Sequence, residues 1–157
     1  MEHNATGANP SREIRSWPDS LERELDVAHL PTDVADYYAD AKRCLDADIP
    51  DAAAVQLRRT LEAAAAHYGH TERVLMQRIE ALIAEGLVTK SFAPALHIVR
   101  VIGNQGAHAS DERVGQETAE RALRFTTQFL RNLFEVPGEL ALMGPGETPE
   151  EPAPLDA

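Results

Sequence analysis

Apolar residues recur along this chain at intervals of three and four, the spacing that gathers them on one face of an α-helix. From Thr32 to about Ala47 the stripe is Val34, Tyr37, Tyr38, Ala41 and Leu45, with Thr32 as a suitable N-cap and Asp33 in the first turn. Asp48-Ile49-Pro50-Asp51 predicts a turn with proline opening the next helix, Pro50 to Tyr68, whose Ala54, Leu57, Leu61, Ala64, Ala65 and Tyr68 face inward. Its alanines Ala63 to Ala66 let a neighbouring helix come close, and Gly69 stops it. A third helix, capped by Thr71 and ended by Gly86, presents Leu75, Ile79, Leu82 and Ile83. Ser91 caps a fourth, with Ala95, Leu96, Val99 and Ile102 packed inward, and glycines 103 and 106 turn its end into a loop. The fifth starts between Asp111 and Val114 and runs to about Glu135 through Ala119, Ala122, Leu123, Thr126, Phe129, Leu130 and Leu133; Val136-Pro137-Gly138 is a hard stop.

No stretch keeps a period of two, so the fold class is all-α, an up-and-down bundle of four to five helices. Three segments follow. Residues 1–30 form a flexible lead with a short helix at 20–29, residues 31–137 the helical domain, and residues 138–157 a disordered acidic, proline-rich tail.

Charge changes this picture only locally. The chain of 157 residues has room for one domain of ordinary size, and its formal charge of −11 argues against a nonspecific polyanion binder. Residues 1–30 carry six acids and three bases and residues 138–157 five acids and no base, so the domain between them is only mildly negative. Neither a membrane span nor a signal peptide pattern is visible, which makes the cytoplasm the expected location. Cys44, the one cysteine, is expected to be a small packing residue.

Chemistry concentrates at Arg100-Val-Ile-Gly-Asn-Gln-Gly-Ala-His108. On a helical projection His97, Arg100, Asn104 and His108 fall within an arc of about 80°, opposite Phe92, Ala95, Val99 and Ile102. A histidine can pass protons near neutrality, an amide can orient it or hold a phosphate oxygen, and an arginine can stabilise phosphorane charge. These are the parts for cleaving RNA without a metal. The plainer reading is a helix C-cap at Gly103-Asn104 with His108 as a loop anchor. Arg58 and Glu62, one turn apart, form either a helix-stabilising pair or part of a site lining. His67 and His70 have no third ligand to complete a metal site, and no cofactor is expected.

Arg58-Arg-Thr-Leu-Glu62, the glycine-ended third helix, Ile98-Val-Arg100-Val-Ile-Gly-Asn104-Gln-Gly-Ala-His108 and a last helix closing on Phe134-Glu-Val-Pro137 together resemble the HEPN superfamily, in the branch catalogued as domain of unknown function 4145. The resemblance implies a helical bundle that pairs into a homodimer. It also implies, in active members, an arginine followed by a polar residue and then a histidine, two copies of which meet across the dimer and cut RNA without metal. Here Asn104 matches the polar position and His108 the histidine, but Gly103 stands where the arginine belongs, with Arg100 one turn earlier. Three readings follow. The favoured one is a noncatalytic homodimeric module that binds RNA, a nucleotide or a protein partner, as in relatives often linked to defence. The others are a metal-independent ribonuclease using Arg100, Asn104 and His108 beside a lining of Arg58, Glu62 and His97, and a structural dimerisation domain. Whether the chain is an enzyme is left open by the sequence.

Overall fold

The computed structural model describes residues 25–107 and 112–145, and among them every regular element is helical. Helix α1 spans Thr32–Asp46, α2 Pro50–His67, α3 Leu75–Ala84, α4 Ala93–Ala107 and α5 Gln116–Leu130. A π turn, Arg131–Glu135, joins α5 to α6, Val136–Met143, and a single 3₁₀ turn, Lys90–Phe92, precedes α4. The expected all-α bundle is therefore what forms.

Helix α2 is its axis, packing against α1, α3, α4 and α5. The reason lies in its small side chains: Ala53, Ala54, Ala64 and Ala65 are fully buried and let neighbours close in on the backbone, while Leu57 and Leu61 fill the space between. Burying each leucine contributes roughly 2 kcal/mol. The predicted stripes of the other helices are also in the core, among them Val34, Tyr38, Leu75, Ile79, Leu82, Leu96, Val99, Phe129 and Leu133. Gly69 and Gly86 end α2 and α3 at φ +87° and +74°, and in each case the next N–H reaches back to a carbonyl five residues earlier, His70 to Ala65 and Leu87 to Leu82.

Boundaries differ where tertiary contacts replace local capping. Thr71 does not cap α3, which starts four residues later. The connector is held instead by Arg78, whose Nε donates to the Glu72 carbonyl at 2.5 Å, and by His70, 2.8 Å from Glu85. Nor do Thr32 and Ser91 act as caps: Thr32 is the first residue of α1, where the Asp33 carboxylate takes the Val34 N–H, and Ser91 lies within the 3₁₀ turn. Residues 25–29 of the predicted leading helix are not helical, and residues 20–24 lie outside the described part.

The stop at Val136-Pro137-Gly138 is also overturned, because α6 continues the rod to Met143. Proline has no N–H to give the carbonyl four residues back, at Leu133, and Tyr68 supplies the donor: its hydroxyl bonds that oxygen at 2.7 Å. The π turn accommodates the change in register. Gly138 leaves room for His29, since a Cβ there would sit 2.5 Å from the imidazole Cγ. His29 Nε2 lies 2.9 Å from Glu139, and the Ala28 N–H donates to Glu135 at 2.7 Å, so the segment before α1 is tied to this end of the bundle. No described helix is long and apolar enough to cross a membrane.

Candidate functional site

The glycines of the central motif do not end α4; the helix passes through both to Ala107. Their function is close approach. A Cβ on Gly103 would lie 2.7 Å from the Arg58 Cβ, and one on Gly106 would lie 2.3 Å from the Asp51 carbonyl oxygen. The motif is thus pressed onto α2, and the next segment is held on the same surface by the Val114 N–H, which donates to Asp51 Oδ1 at 2.8 Å. An arginine at position 103 cannot fit against α2 in this packing.

The close contact brings Asn104 to Arg58. The Arg58 guanidinium donates through Nη1 to Asn104 Oδ1 and through Nε to Glu62 Oε1 at 3.0 Å. Of the residues singled out from sequence, Arg58, Glu62 and Asn104 therefore form one half-buried cluster bridging α2 and α4. The link from Arg58 to Asn104 had no signal in the sequence, because it joins residues 46 apart through packing. The exposed His97 and the half-buried Arg100 form a separate pair, Arg100 Nη2 lying 3.3 Å from His97 Nδ1. His108 lies outside the described residues, so the predicted grouping of Arg100, Asn104 and His108 is placed only as far as its first two members.

Glu62 has a second side. Its carbonyl accepts from Arg78 Nη1 at 3.0 Å, and the residue lines a cleft of about 500 Å³ with Asp33, Tyr37, Arg59, Ala63 and Arg78. Tyr37 and Arg59 were not singled out as site residues. The helical period places Tyr37 on the core stripe, whereas the structure leaves it half-exposed at the cleft. A smaller hollow of about 310 Å³ lies beside α5, lined by Leu25, Arg124, Phe125 and Arg131, where the Arg131 charge faces Glu135 at 3.8 Å.

Elsewhere polar groups do structural work. Tyr38 donates to the Leu25 carbonyl at 2.5 Å and lies 2.6 Å from Thr127 Oγ1; burial pushes its phenol up to about 12, against the opposing effect of the Thr127 hydrogen bond. The His67 ring packs edge-on against Tyr68 and Phe134. Among the described residues no group of three His, Cys, Asp or Glu side chains could hold a metal ion.

No curated protein and no solved structure matches the chain. A family model does match, over residues 39–143, about two thirds of the chain and reaching the last residue of α6. By that match the chain belongs to the family described as Domain of unknown function (DUF4145).

Proposed function

We propose that this protein is a noncatalytic HEPN-like binding module, acting as a homodimer, that holds RNA, a nucleotide or a protein partner. The observation that carries the reading is the state of Arg58. It lies beside Asn104, yet its charge faces the Glu62 carboxylate and its guanidinium also binds the Asn104 amide oxygen. A guanidinium already paired and oriented inward is a poor partner for phosphorane charge. With Gly103 unable to give way to arginine, the cluster serves better to fix α4 on α2 than to drive a reaction.

A homodimer is supported by α6, where Val136, Leu140, Leu142 and Met143 are 53 to 80% exposed on a helix that packs chiefly against the π turn preceding it. Exposed apolar side chains grouped in this way suit a protein interface. The competing reading, a metal-independent ribonuclease, draws on Arg100, whose buried Nε has no hydrogen-bond partner among the described residues and which stands beside His97. Incubation of the purified protein with labelled RNA, beside His108→Ala, separates the two. The binding module leaves the RNA intact in both samples; cleavage that persists with chelator and is lost in His108→Ala would overturn it.

A further inference from the structure

The cleft between α1, α2 and the start of α3 carries an excess of positive charge once Arg58 is set against Glu62. Arg78 is fixed by two carbonyl oxygens, those of Glu72 and Glu62, and neutral acceptors orient a guanidinium without cancelling its charge. Arg59 is exposed and makes no hydrogen bond or ion pair with any described residue. Two carboxylates also line the cleft. Glu62 is engaged by Arg58, and Asp33 takes the Val34 N–H on its Oδ1. The lining therefore offers two guanidinium groups against the Asp33 carboxylate, the Glu62 charge being countered by Arg58, in a chain whose net charge is −11.

Shape adds the second half of the argument. Tyr37 stands in the lining half-exposed, its hydroxyl without a hydrogen-bond partner among the described residues, and Ala63 and Ala66 form part of the wall with small side chains. A flat ring can lie against the tyrosine without meeting bulk, and the volume of about 500 Å³ is in the range that small-ligand sites occupy. We propose that this cleft binds a nucleotide, with the phosphate on Arg59 and Arg78, the base against Tyr37 and the free Asp33 oxygen accepting from a ribose hydroxyl. A mononucleotide fits better than a long RNA, because two arginines release few counterions and the rest of the acidic chain repels a polyanion. The proposal rests on the reading of the protein as a binding module.

Calorimetric titration of the full chain tests it, using each of the four ribonucleoside monophosphates, inorganic phosphate, adenosine and a short single-stranded RNA as separate probes. At least one monophosphate binds more tightly than both phosphate and adenosine. Arg59→Gln weakens that binding about tenfold or more, as loss of a charge-assisted hydrogen bond does. Tyr37→Leu weakens the monophosphate but leaves phosphate unchanged. Arg59 and Tyr37 are chosen because Arg78 also braces the connector before α3. The proposal is overturned by absence of monophosphate binding at millimolar concentration, by phosphate binding as well as any monophosphate, by adenosine doing so, by tighter binding of RNA than of any monophosphate, or by affinities that the two variants leave unchanged while both remain folded by circular dichroism. Cleavage of the RNA probe would instead defeat the noncatalytic reading, so the two failures are distinguishable.

Discussion

Gly103 and Gly106 show what one missing carbon can decide. Alanine is ordinarily the better helix residue by about 1 kcal/mol. At 106, however, its Cβ would meet a backbone oxygen at 2.3 Å, which no side-chain rotation relieves. Gly106→Ala is expected to destabilise the protein by about 1–3 kcal/mol net of the propensity gain, measured by urea unfolding; a more stable variant would show that α2 and α4 separate easily. Arg58 is the polar counterpart. Arg58→Ala strands a half-buried carboxylate and an amide, and a double-mutant cycle with Asn104→Ala should return a coupling of about 0.5–1 kcal/mol, no coupling meaning the bond is not kept in solution.

Tyr38 ties stability to alkaline pH. Folded, its phenol keeps the proton to about 12, whereas the unfolded side chain releases it near the ordinary tyrosine value of 10.0. Between those values ionisation favours the unfolded chain, so stability falls as pH rises, by up to about 2–3 kcal/mol. Thermal melts from pH 9 to 12 should show a shallower decline in Tyr38→Phe than in the parent; parallel curves would remove Tyr38 as the cause.

At the scale of elements, the rod from α5 through the π turn to α6 depends on a partner outside itself. Pro137 interrupts the helix ladder, and the Tyr68 hydroxyl on α2 satisfies the Leu133 carbonyl. Tyr68→Phe should therefore cost about 1 kcal/mol in the parent and less in a Pro137→Ala background, where an N–H is again available to that carbonyl. Equal losses in both backgrounds would mean the hydroxyl and the proline are unrelated. The same rule of a distant partner replacing a local cap explains α3, which waits for Arg78 and His70 to anchor the connector rather than starting at Thr71.

For the whole molecule, assembly is the open physical question that the surface of α6 raises. Leu140 is 60% exposed, so Leu140→Glu should leave the fold intact while removing apolar contact area. Sedimentation at micromolar concentration is expected to show a dimer for the parent and a shift to monomer for Leu140→Glu. A parent that is monomeric throughout the concentration range would eliminate both the homodimer and any site shared between copies.

The number and order of the bundle's main helices, and nearly all of its core, were legible in the sequence, because a helix that must bury one face writes a period of 3.6 into its own residues. The stops at Gly69 and Gly86 were legible for the same local reason: each needs a positive φ. Local rules also marked Arg100 to His108 as unusual, but they misread its glycines as a break. Whether a glycine ends a helix or admits a neighbour depends on what lies beside it, and only the packing of α4 on α2 placed Arg58 and Asp51 there. Tertiary structure likewise turned Pro137 from a stop into a tolerated residue, paired Arg58 with Asn104, and left Tyr37 and Arg59 facing an open cleft. Periodicity is a property of one segment; a close contact, a borrowed hydrogen bond and an unpaired charge each need two.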